Sequence, residues 1–156
     1  MRLSNASLFA GLLSILILPC LAHGQGPTGT DIAQKAAKAQ LASANTVSAQ
    51  KEGKKIKFTP IDFDAIQTVD DLDGKVVGVL ETALPGESLP PGKYDLFLAK
   101  SGNDWHVYAE SGGTIVQDTT HVQISQSAKT QGSKKPKITF GTFHVCLYDG
   151  WICIYF

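Results

Sequence analysis

Arginine occurs once in this chain, at Arg2, methionine once, at Met1, and histidine only four times in 156 residues. With its one arginine at position 2, the rest of the chain has no planar fork for phosphates or base edges, which makes nucleic acid a disfavoured partner. Four histidines without recognisable spacing leave a closed zinc site short of its four ligands, and blue copper lacks its usual methionine. No Gly-rich phosphate loop is present. No apolar stretch reaches the roughly 20 residues of a membrane-spanning helix. The longest is the run of 11 from Leu8 to Leu18.

That run is informative for its context. Arg2 precedes it, Pro19 ends it, and small residues follow at Ala22 and Gly24. Charge, apolar run and small-residue cleavage site in this order read as a secretory signal peptide, residues 1–24. Cleavage after Ala22 or after Gly24 fits equally, giving a mature start at His23 or Gln25. Lipoprotein anchoring through Cys20 needs small residues just before the cysteine, and Leu18-Pro19 is a poor fit. The expected location is therefore secreted or periplasmic, with no transmembrane helix left after cleavage. Cys20 leaves with the leader, so Cys146 and Cys153 form an even pair in an oxidising compartment, which reads as a disulfide.

Charge is unevenly laid out. Residues 25–57 hold six lysines and two acids, 58–128 three lysines and eleven acids, and 129–137 four lysines. An acidic body between two basic segments can be solvated, self-neutralising charge or a surface for an anionic partner. The absence of arginine favours the first.

Residues 31–50 are rich in Ala, Gln and Lys, tolerable in a helix. Thr30 or Asp31 could cap that helix and Gly53 could end it. Its apolar stripe is mostly alanine, so residues 25–57 are expected to be a basic, partly helical extension that packs weakly. From Phe58 the texture turns to β. Candidate strands are 56–59, 61–64, 66–69, 75–81, 93–99, 104–110, 114–118, 121–125, 137–148 and 151–156. Asp73-Gly74, Ser111-Gly112-Gly113 and Asp149-Gly150 mark turns between them. Tyr94, Leu96 and Leu98 share one face of their strand, and Trp105, Val107 and Ala109 one face of theirs. Short connections predict an all-β antiparallel β-sandwich over residues 58–156, Ig-like or prealbumin-like, with a small barrel second. Leu89-Pro90-Pro91-Gly92-Lys93-Tyr94 resembles the turn into a core strand of prealbumin-like domains, the family that includes carboxypeptidase regulatory domains. The resemblance implies a sandwich and carries no activity.

The C-terminal segment is sharpest. Asp149-Gly150 between alternating apolar residues signals a hairpin with a two-residue loop. That register opposes Leu147 to Ile152, Cys146 to Cys153, Val145 to Ile154 and His144 to Tyr155. It puts the cysteines on a hydrogen-bonded pair with Cα atoms about 5.5 Å apart. One face (Phe143, Val145, Leu147, Ile152, Ile154, Phe156) is expected to be core. The other carries His144, Tyr148, Trp151 and Tyr155 around the cysteines. If exposed, those four form a binding surface for a protein or carbohydrate. If a second sheet covers them, they are core.

No chemistry rises above this. Asp71-Leu72-Asp73-Gly74 fails as a calcium loop because Val69 and Leu80 fall where oxygen ligands belong. Gly86-Glu87-Ser88-Leu89-Pro90 lacks the second glycine of a nucleophile elbow. No catalytic residue, metal ligand or cofactor is predicted. The expected function is a non-enzymatic binding, adhesion or accessory module. The alternatives are a small secreted hydrolase whose site is spatial, discriminated by polar groups converging on His106, His121 or His144, and a membrane- or surface-associated β protein.

Overall fold

A computed structural model describes residues 26–86, 89–125 and 133–156. The proposed leader, its cleavage sites and Cys20 lie outside them. Among the described residues no helix is long and apolar enough to cross a membrane.

The fold is all-β, two antiparallel sheets facing each other. Six strands make the larger sheet in sequence order: β1 (Val47–Lys51), β2 (Lys54–Pro60), β3 (Lys75–Thr82), β4 (Gly92–Ser101), β5 (Asp104–Ser111) and β6 (Thr114–Thr119). The smaller sheet holds β7 (Val122–Ile124), β8 (Lys137–Thr139), β9 (His144–Leu147) and β10 (Ile152–Tyr155), ordered β7-β10-β9-β8. This is Greek-key logic, because three consecutive strands return to lie beside β7. The inner faces meet in one core of Ile56, Phe58, Leu80, Leu96, Val145 and Ile154, all fully buried. Gly78 lets β2 and β3 close up, since a Cβ there would lie 2.5 Å from the Phe58 ring and 2.6 Å from Thr59 O.

The N-terminal segment departs from expectation. Its helix, α1, spans only Gly29–Ala36 and is capped by Thr28, whose Oγ1 accepts from Asp31 N at 3.1 Å. The Asp31 carboxylate bonds back to Thr28, closing a capping box and holding its own pKa below the ordinary value. Residues 47–60 are strands instead. Val47 and Ala49 alternate toward the core opposite Phe58 and Ile56, and Glu52-Gly53 turns the hairpin with positive φ at both residues. The boundary expected after residue 57 thus falls inside β2. The α1 helix docks on the outer face of the large sheet, where Ile32 is fully buried against Val76, Phe97 and Tyr108. One isoleucine suffices because the sheet presents a ready apolar floor.

Two expected strands, 61–64 and 66–69, are absent. Ile61, Asp62 and Ile66 donate to backbone carbonyls, and three further N–H groups bond to side chains rather than to a ladder. Asp64 N donates to Asp62 Oδ1 at 2.9 Å, and Gln67 N and Thr68 N donate to Asp71 Oδ2 at 3.0 and 2.8 Å. The expected strand 137–148 is split into β8 and β9 by a turn at 140–143. Tyr94 holds the Pro90-Pro91-Gly92 turn by donating its hydroxyl to Pro90 O at 2.7 Å.

Candidate functional site

The hairpin register is as expected: Leu147 faces Ile152, Cys146 Cys153, Val145 Ile154 and His144 Tyr155. Cys146 and Cys153 are disulfide-bonded. The phase of the hydrogen bonds differs. Phe156 N donates to Phe143 O at 2.9 Å, and bonded pairs alternate with non-bonded ones, so the cysteines occupy a non-bonded pair. Their Cα atoms are accordingly closer than expected, at 4.1 Å. The loop that makes this phase possible has four residues, Tyr148 to Trp151, with positive φ at Tyr148, Asp149 and Gly150.

That loop decides the fate of the candidate surface. Positive φ at Tyr148 takes its side chain out of the strand alternation and into the core, 5.1 Å edge-on to Phe63. Trp151 joins the same core at 4% exposure. Burial raises the Tyr148 phenol pKa, with the nearby Asp64 charge second. Two of the four expected surface residues are therefore core. His144 and Tyr155 stay on the outer face beside the disulfide, rings 4.7 Å apart. His144 Nδ1 lies 2.7 Å from Thr142 O, and a carbonyl only accepts, so Nδ1 carries the proton. Tyr155 donates to Gln123 Oε1 at 3.0 Å. This face is a stapled, hydrogen-bonded patch rather than an aromatic platform.

The histidines do not converge. His106 lies on the outer face of the large sheet, on β5, with Nδ1 2.7 Å from Asp118 Oδ1 and its ring stacked on Tyr108. His121 sits in the β6–β7 link, and His144 on the other sheet's outer face. Among the described residues no hydroxyl or thiol is hydrogen-bonded to His106, and no group of three His, Cys, Asp or Glu side chains could hold a metal ion.

Register reveals a pair that is 15 positions apart in sequence. Asp95 and Glu110 are cross-strand neighbours on β4 and β5, and Glu110 is 2% exposed. The Glu110 carboxylate accepts from Gly113 N, and Gly113 packs against Gly29 at the start of α1. Burial, then the charge and hydrogen bond of Glu110, push the Asp95 carboxyl pKa up. The pair shares polar duty beneath the helix start.

Two concavities open at the opposite end from the aspartate-rich 61–73 loop. A cleft of about 430 Å³ opens where the edge of β1, the 84–86 loop and the 140–143 turn meet, lined by Lys51, Leu84, Pro85, Phe140, Phe143 and Phe156. The Phe143 and Phe156 rings tilt against each other at 5.2 Å. Gly86 abuts Phe156, since a Cβ would come within 2.9 Å of its carbonyl carbon. Thr82 Oγ1 braces the loop by donating to Leu84 O at 2.8 Å and accepting from Leu84 N at 3.0 Å. Across the same loop, a second concavity of about 510 Å³ is bordered by Lys55, Lys57, Glu81 and Lys93. Lys57 pairs with Glu81 at 3.0 Å, both about 40% exposed. The sequence signal for the cleft was Phe140, Phe143 and Phe156 close to a turn, but only the docking of loop 84–86 makes it concave. No protein-family model, no curated protein and no solved structure matches this chain.

Proposed function

We propose that this protein is a non-enzymatic binding module of an extracytoplasmic compartment and that the Phe140–Phe143–Phe156 cleft is its ligand site. The carrying observation is that cleft. It is a hollow of about 430 Å³ where Phe140, Phe143 and Phe156 meet exposed polar groups, with the Lys51 ammonium group on its rim. Small-ligand sites are hollows of roughly 300–1,000 Å³ lined by apolar rings with a few polar groups. The disulfide supports the compartment, because such bonds persist where the surroundings are oxidising. Among the described residues the His106–Asp118 hydrogen bond is the one feature that favours the hydrolase alternative. Both readings meet one experiment. Anilinonaphthalene sulfonate, an apolar ring system with one anion, is titrated by fluorescence while chromogenic ester and glycoside substrates are assayed. Saturable probe binding, weakened in a folded Phe143→Ala variant, with no turnover, is expected. Turnover abolished by His106→Gln, or probe binding indifferent to Phe143→Ala, overturns the reading.

A further inference from the structure

The lysines around the cleft have a distribution of their own. Lys51, Lys54, Lys55 and Lys93 have no acidic partner within 4 Å among the described residues, whereas Lys57 is tied to Glu81. Lys51, Lys54 and Lys55 flank the β1–β2 turn, Lys93 lies at the same end of β4, and Lys57 stands mid-way along β2. The aspartates Asp62, Asp64, Asp70, Asp71 and Asp73 sit past the other end of β2 and β3. Among the described residues, the lysines at the first end are unpaired beside an open cleft, whereas at the other end Lys100 and Lys134 pair with Asp70 and Asp64.

We propose that the lysine end is a two-part docking surface for an acidic peptide segment. An aromatic or aliphatic side chain seats in the cleft against the packed Phe143–Phe156 pair, and neighbouring carboxylates meet Lys51, Lys55 and Lys93. This rests on the cleft being a ligand site and names its occupant. The three phenylalanines of the lining favour an apolar side chain over a sugar ring. Sugar hydroxyls lose hydrogen bonds when buried against apolar groups, and among the described residues the polar side chains lining the cleft are Lys51 and Thr142 alone. Lysine without arginine suits dispersed carboxylates, since ammonium groups act as point charges and impose no bidentate geometry. Charges at the rim of an apolar anchor chiefly speed encounter and make it salt-sensitive.

The test uses a short acetylated peptide of glutamates around one tryptophan, its glutamine analogue, and a polyuronate, each titrated calorimetrically. The acidic peptide should bind more tightly than the analogue, and the gap should close at high salt. Lys55→Gln with Lys93→Gln should weaken the acidic peptide about three- to tenfold, the scale of two exposed charge pairs, and leave the analogue unchanged. Phe143→Ala should weaken both peptides. Equal binding of the two peptides overturns this proposal and leaves the cleft standing. Failure of both peptides together with failure of the fluorescent probe removes the cleft reading and the proposal with it. Polyuronate binding tighter than either peptide overturns the proposal in favour of a polysaccharide.

Discussion

The large sheet is a run of consecutive hairpins with strands of five to ten residues, whereas the small sheet has strands of three or four and recruits β7 across a long connection. Three of the large sheet's connections, 52–53, 102–103 and 112–113, are two-residue turns, so those ladders form at low entropic cost. Its outer face is finished by α1 and by charged side chains. The small sheet has few ladder bonds and relies on other means: Tyr148 and Trp151 turned inward from its loop, and a disulfide across its central pair. Where local pairing is weak, large buried side chains and a covalent link take over.

The sharpest way to break this comparison is Trp151→Ala. The side chain is 4% exposed in the main core, so a loss of about 3–5 kcal/mol is expected by urea unfolding. A near-neutral result would mean that the small sheet does not depend on its loop aromatics. Next comes Cys146→Ser with Cys153→Ser, which opens a link between residues seven apart. The chain-entropy model gives about 2–3 kcal/mol, less where the hairpin persists in the unfolded chain. Native-state amide exchange should accelerate in β9 and β10 and stay unchanged in β3 and β4. Uniform acceleration would erase the distinction between the sheets.

On the large sheet the corresponding probe is Ile32→Ala. It empties the contact of α1 with Val76, Phe97 and Tyr108 and should cost about 2 kcal/mol, the low end for such truncations, because this cluster is small. An unchanged melting temperature would show that the N-terminal segment packs as weakly as its alanine-rich sequence suggests. The smallest effect concerns Asp95. Its carboxyl pKa is raised above 3.8 by burial first and Glu110 second. Between the ordinary and the raised value the folded protein holds a proton that the unfolded chain has released. Stability therefore falls as pH rises through that window. Asp95→Asn should remove this slope and stabilise the protein at neutral pH by less than about 1 kcal/mol, since the site is partly solvated. A melting temperature that drops equally at acid and neutral pH would contradict it.

Much of the β framework was legible because its signals are local. The strands from Lys75 to Thr119 follow from alternation and glycine turns, and the hairpin pairs from Asp149-Gly150. The misreadings share a cause. Residues 61–69 are branched enough for a strand, but Asp62 and Asp71 capture the N–H groups that a ladder would use. The Val47–Lys51 strand hid in an Ala/Lys-rich stretch because Val47 and Ala49 alone carry its alternation. Of the expected surface, His144 and Tyr155 remain outside, and the loop conformation sent Tyr148 and Trp151 inward.

By itself the sequence determined an all-β chain, the cross-strand partners of its last hairpin and the pairing of Cys146 with Cys153. Each rests on neighbours a few residues apart and on turn chemistry. Only the tertiary structure decided which hairpin aromatics are buried, that one isoleucine anchors α1, that Asp95 meets Glu110, and that Phe140, Phe143 and Phe156 border a cleft. These depend on how distant segments pack and on which face each leaves uncovered, information that no local period carries.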